Sequence, residues 1–151
     1  MKTQRIYIDT SVIGGCFDVE FAEWSNGLIA DFRNGIFQPL LSEVISAEIG
    51  DAPENVQSVY AELMTFNVET LTVGENSLEL ADEYQKRSIL SPNFYDDGLY
   101  IALATVAQAD LLVSWNFKHI VNYNRIRLYN AVNLKLGYRL LEIRSPRDLT
   151  A

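Results

Sequence analysis

The chain has 151 residues and a net charge of −8, with 48% hydrophobic and 21% charged residues and a single cysteine, Cys16. This length and composition suit one folded domain over 1–151 and exclude a disordered chain, while one cysteine excludes an intrachain disulfide or a cysteine-based zinc site. The most apolar stretch, 98–107, is about half of what a membrane helix needs, and Asp9 interrupts the N-terminal apolar run before a signal peptide forms, so the expectation is a soluble, cytoplasmic protein.

Residues 6–8, Ile-Tyr-Ile, read as a buried strand that ends on Asp9, with Thr10 and Ser11 behind it. Ligands of open α/β sheets bind just beyond the carboxyl ends of the strands, so Asp9 stands where a site is built. The same residue types also cap helices. Gly14 and Gly15 read as a loop. Phe21, Trp24, Leu28 and Phe32 recur on one helical face and predict a helix over about 20–34, closed by Asn34 and Gly35. Phe37–Ser42 reads as a second strand, running into a helix over Glu43–Ile49 opened by Ser42. Residues 51–53 break the chain, and Val56, Val59, Tyr60 and Leu63 predict the next helix, with Pro53 in its first turn.

Residues 68–72 alternate as a third strand, and 75–87 are helical with Leu78, Leu80, Ala81 and Tyr84 facing inward. After a loop at 91–93, the stretch 97–108 is apolar nearly all round and predicts a buried helix. Leu111–Val113 is a further core strand. Ile126, Tyr129, Asn133 and Leu136 mark a last helix ended by Gly137, and 140–143 a last strand, a helix–strand extension at about 122–151. Strands and helices alternate throughout, which implies a mostly parallel sheet with helices on both faces, a three-layer α/β/α sandwich.

The charge is unevenly spread. Residues 1–117 carry 5 Lys/Arg against 18 Asp/Glu, and residues 118–151 carry 7 against 2. An acidic body with a basic end can gather cations at one place and a polyanion at another. Acids at element ends are the chemical candidates: Asp9 after the first strand, Glu43 or Glu48 after the second, Asp96 or Asp97 at the start of the buried helix. Asn116, in Ser114-Trp115-Asn116, follows the penultimate strand. Carboxylates that converge raise one another's pKa, and a hard divalent cation relieves the repulsion. Each also has an ordinary role: a helix cap for Asp96 or Asp97, a surface charge for either glutamate, a turn residue for Asn116, a hydrogen bond within a turn for His119. No base–nucleophile pair accompanies the one histidine, His119, and no phosphate-cradling glycine loop is present.

In order along the chain, four segments resemble those of the PIN-domain family, which includes VapC-type toxins and RNA-processing nucleases. They are Ile8-Asp9-Thr10-Ser11, the stretch from Ser42 through Ala47-Glu48, Asp97-Gly98-Leu99-Tyr100-Ile101-Ala102-Leu103-Ala104, and the run from Leu112 to Ile120 around Ser114-Trp115-Asn116. The resemblance implies a metal-dependent endoribonuclease. Asp9, Glu48 and Asp97 would ligate Mg²⁺ or Mn²⁺, favoured over Glu43 and Asp96 by their spacing, with Asn116 as fourth site position. Thr10 and Ser11 would hydrogen-bond a ligand or water. Many members carry an aspartate where this chain has Asn116, which implies one well-held ion and a second bound weakly. Lys118, Arg125 and Arg127 are candidate phosphate contacts. The resemblance further implies a homodimer and the toxin role of a toxin–antitoxin pair, with an antitoxin protein as partner. The alternative is a binding or scaffold protein of the same fold with weakened or lost catalysis. A phosphatase with Asp9 as nucleophile is disfavoured by Ser11, where such enzymes need a second aspartate.

Overall fold

The structure, a computed structural model, describes residues 2–149. Strand β1 (Gln4–Ile8) lies at the centre, and its Ile6, Tyr7 and Ile8 are fully buried because helices cover both faces of the sheet. It pairs in parallel with β2 (Phe37–Ser42) on one side and β4 (Leu111–Val113) on the other. β3 (Glu69–Leu71) extends the β2 edge and β5 (Ile143–Arg144) the β4 edge, giving the order β3-β2-β1-β4-β5, all parallel.

This order fixes where the helices go. The chain winds outward from β1 through β2 to β3, then returns past β1 to build β4 and β5. Right-handed crossovers in opposite directions place the two sets of helices on opposite faces. α1 (Thr10–Gly15), α2 (Ala22–Arg33), α3 (Glu43–Ile49) and α4 (Glu54–Leu63) pack on one another in one layer. α5 (Glu75–Lys86) packs against α6 (Tyr95–Val106) and α7 (Tyr123–Lys135) in the other. The result is the expected α/β/α sandwich. At the β1/β4 switch point the following segments leave toward opposite layers and open a crevice above the strand ends.

Four local expectations are corrected. Gly14 and Gly15 lie in a helix rather than a loop. A Cβ on Gly15 would stand 2.5 Å from Ser25 Oγ and 2.7 Å from Trp115 Nε1, so close packing, not turn geometry, calls for glycine there. In α5 Leu80, Ala81 and Tyr84 face inward as expected, with Ser77 completing the face at i, i+3, i+4 and i+7, while Leu78 falls off that face and is exposed. The 91–93 loop includes the start of a 3-10 turn at Pro92–Phe94, so α6 begins at Tyr95 and neither Asp96 nor Asp97 caps it. The last strand shrinks to two residues because Leu140 points into solvent and only Ile143 and Arg144 find partners on β4. No helix among the described residues is long and apolar enough to cross a membrane.

Candidate functional site

Asp9 continues the extended backbone of β1 and stands before the first turn of α1, but its side chain caps nothing. The register explains where it turns. Ile8 lies beside Val113, which brings Asp9 next to Ser114. Ser114 Oγ donates to one carboxylate oxygen at 2.6 Å and Ser11 Oγ to the other at 2.6 Å. Each hydroxyl in turn accepts a backbone N–H at 2.9 Å, Ser11 from Trp115 and Ser114 from Asn116. The ends of β1 and β4 are thereby stitched together around one carboxylate that is 4% exposed. Burial pushes the Asp9 carboxyl up to about 6, against the pull of the two serines. No cation pairs with it among the described residues.

The other acids arrive from both layers. Glu48, near the end of α3, accepts from Thr10 Oγ1 at 2.9 Å. Partial burial raises its carboxyl above the usual range, and Asp96 and Asp97 add to the shift. Asp97, in the first turn of α6, accepts from His119 Nδ1 at 2.9 Å and from Asn116 Nδ2 at 3.3 Å on the same oxygen. An ionised carboxylate only accepts, so the histidine proton that faces it is on Nδ1. Burial raises Asp97 as well, with His119 and Asn116 pulling the other way. Asp9, Glu48 and Asp97 line a single cleft of about 340 Å³ together with Thr10, Ser11, Asp96, Tyr100 and Asn116. Glu43, the rejected alternative, instead accepts the Val73 backbone N–H.

Several assigned roles change. Thr10 and Ser11 spend their protons on Glu48 and Asp9, so they orient acids rather than present a donor to a ligand. The amide oxygen of Asn116, the fourth site position, accepts the backbone N–H groups of Lys118 and His119 and closes its own turn. Its amide N–H, not its oxygen, faces the site. Arg125 is a brace: Nε donates to the Lys118 carbonyl and Nη1 to the Ile89 carbonyl. Arg127 lies over the Tyr123 ring and Lys118 over the Phe94 ring, which leaves these two as the candidate phosphate contacts.

Ser114 and His119 are site residues that sequence reasoning did not assign. Ser114 follows β4 at the position facing Asp9, so the strand pairing carried a signal for it. His119 reaches Asp97 across 22 residues through a bond that only the packed structure reveals.

The donor set is all oxygen, as hard divalent cations require. No group of three His, Cys, Asp or Glu side chains among the described residues is arranged to hold a metal ion. Mg²⁺ commonly takes one or two carboxylates and keeps several waters, and an open, carboxylate-lined cleft fits that mode.

No family model matches the chain, and no curated protein matches it. Among solved structures, it is similar to a chain of VapBC2 from Rickettsia felis bound to a DNA fragment from their promoter, at 16% identity and a TM-score of 0.57, covering 94% of this chain and 98% of that one. A chain of a toxin–antitoxin complex from Klebsiella pneumoniae is similar at 14% identity and a TM-score of 0.57, covering 76% and 88%. At these identities the likeness is one of architecture, and the fold is PIN-like.

Proposed function

We propose that this protein is a metal-dependent endoribonuclease and the toxin of a toxin–antitoxin pair. The observation that carries the reading is the meeting of Asp9, Glu48 and Asp97, far apart in sequence, in one cleft at the sheet's switch point, with Asp9 buried and ion-paired to no Lys, Arg or His among the described residues. Asp9, Glu48 and Asp97 would hold Mg²⁺ or Mn²⁺, one or two of them directly and the rest through water. When bound, such an ion polarises a phosphodiester and acidifies water at neutral pH. The chain's own residues then have defined tasks. Ser11 and Ser114 fix the Asp9 carboxylate in one orientation, Thr10 fixes Glu48, and His119 with Asn116 fixes Asp97. Lys118 and Arg127 would steady the flanking phosphates.

The acidic surface suits an antitoxin with a basic segment, and the toxin–antitoxin context of the two similar structures supports such a partner. A homodimer is part of the same proposal. One observation favours a second reading, a binding protein of this fold with weakened catalysis. Asn116 brings an amide rather than a charge to Asp97, which removes one negative donor from the cleft.

Incubation of total cellular RNA with the protein, with and without Mn²⁺ and with D9N as control, separates the two. The nuclease reading expects Mn²⁺-dependent cleavage that D9N abolishes. Intact RNA under all conditions, with Mn²⁺ bound, would favour the binding protein.

A further inference from the structure

Tyr100 lines the carboxylate cleft beside Asp9, Glu48, Asp96 and Asp97. It stands on α6 three residues after Asp97 and four after Asp96, the spacing that brings side chains together on one helix face. Long helical side chains lean toward the helix N-terminus, so this one lies back over the turn that carries both acids. The ring is packed. Tyr100 is only 5% accessible, and its ring meets that of Tyr7, on the central strand, at 6.3 Å between centroids and 46° between planes. Tyr7 is itself held by a 2.8 Å hydrogen bond between its hydroxyl and that of Ser42.

The fold makes no use of the Tyr100 hydroxyl. Three side-chain hydroxyls line the cleft, from Thr10, Ser11 and Tyr100. Thr10 donates to Glu48 and Ser11 to Asp9. Tyr100 hydrogen-bonds no described residue, not even one of the four carboxylates around it. A buried tyrosine ordinarily finds a partner for its O–H. This one is not sealed away either, since Gln85 Nε2 is the sole buried side-chain N or O atom without a partner among the described residues. The hydroxyl is therefore open to whatever enters the cleft.

A phosphodiester brings negative charge into a space lined by four carboxylates, and it needs donors there besides a cation. A phenol is a neutral donor at neutral pH. A donor already fixed in place stabilises developing charge without reorganising. We propose that Tyr100 is a catalytic residue, its hydroxyl donating to a non-bridging oxygen of the phosphodiester under attack. This rests on the nuclease reading of the cleft and adds a contact to substrate that the acids cannot make.

Y100F removes the one atom in question and keeps the ring against Tyr7. Cleavage of a fluorogenic mixed-sequence RNA with Mn²⁺ gives kcat/KM for the parent and for Y100F. Mn²⁺ affinity, from the paramagnetic resonance of the free ion, and the thermal midpoint are measured on the same two proteins. The expected result is a kcat/KM at least about tenfold lower in Y100F, with Mn²⁺ affinity and thermal midpoint unchanged, because the hydroxyl bonds nothing in the protein. Equal kcat/KM overturns the assignment and leaves the nuclease reading standing. A loss of cleavage that comes with weaker Mn²⁺ binding or a lower midpoint also overturns it, since the hydroxyl would then be supporting the acids or the fold. A parent that binds Mn²⁺ but cuts no RNA sinks the nuclease reading itself, and this role with it.

Discussion

At the scale of single residues, Asp9 holds the largest electrostatic cost in the site. In the metal-free protein its carboxyl is neutral in both folded and unfolded states below about pH 4. Between about 4 and 6 the unfolded chain releases its proton while burial makes the folded chain keep it, so the unfolded state binds fewer protons and stability falls as pH rises. Above about 6 the loss is complete, at about 3 kcal/mol. Asp9→Asn removes the ionisation but keeps a side chain that the two serines can still meet. The thermal midpoint of D9N should gain on the unmodified protein as pH rises from 4 to 6, then run parallel to it. A constant difference across that window would show that Asp9 is not held neutral. Asn116 offers a second test. A carboxylate there would stand against Asp97 where an amide now donates at 3.3 Å. N116D should therefore lower the metal-free melting temperature and enlarge the rise produced by Mn²⁺; a variant melting like the parent with and without Mn²⁺ would place residue 116 outside the site's electrostatics.

At the scale of elements, the site depends on helix placement more than on the acids themselves. α7 holds the 116–122 turn from behind, through Arg125 to the Lys118 carbonyl and Tyr129 Oη to the His119 carbonyl at 2.9 Å. Tyr129→Phe leaves that buried carbonyl without its partner and should cost about 1–3 kcal/mol, measured by denaturant unfolding. On the other face, a methyl group at Gly15 has no room between Ser25 and Trp115. G15A should destabilise by about 1–3 kcal/mol and change the emission of Trp115, whose indole would lose its bond to Ser25. An unshifted spectrum together with unchanged stability would contradict the packing described. These elements also show what a linear reading misses. Two adjacent glycines punctuate a sequence as a loop does, whereas here one serves a tight helix–indole contact. Leu78 of α5 was misplaced because it is apolar and Ser77 is not, yet Ser77 faces inward and bonds the backbone at the helix start.

For the whole molecule, the alternation of strands and helices was enough to derive the sandwich, since right-handed crossovers leave few other arrangements. The meeting of residues 9, 48 and 97 was legible because Asp9 ends a strand, Asp97 lies at the start of a helix, and Glu48 rides the short helix that follows the second strand. What lay beyond reach were bonds set by side-chain packing: His119 to Asp97, Ser114 to Asp9, and the turning of the Asn116 oxygen into its own loop. Those bonds decide how the acids are presented, and hence whether the cleft holds an ion. Titration of Mn²⁺ followed by the electron paramagnetic resonance of the free ion measures this directly for the parent protein, D9N and D97N. The account predicts saturable binding in the millimolar range or tighter, weakened at least about tenfold in both variants; Mn²⁺ binding that is absent, or equal in all three proteins, would contradict it.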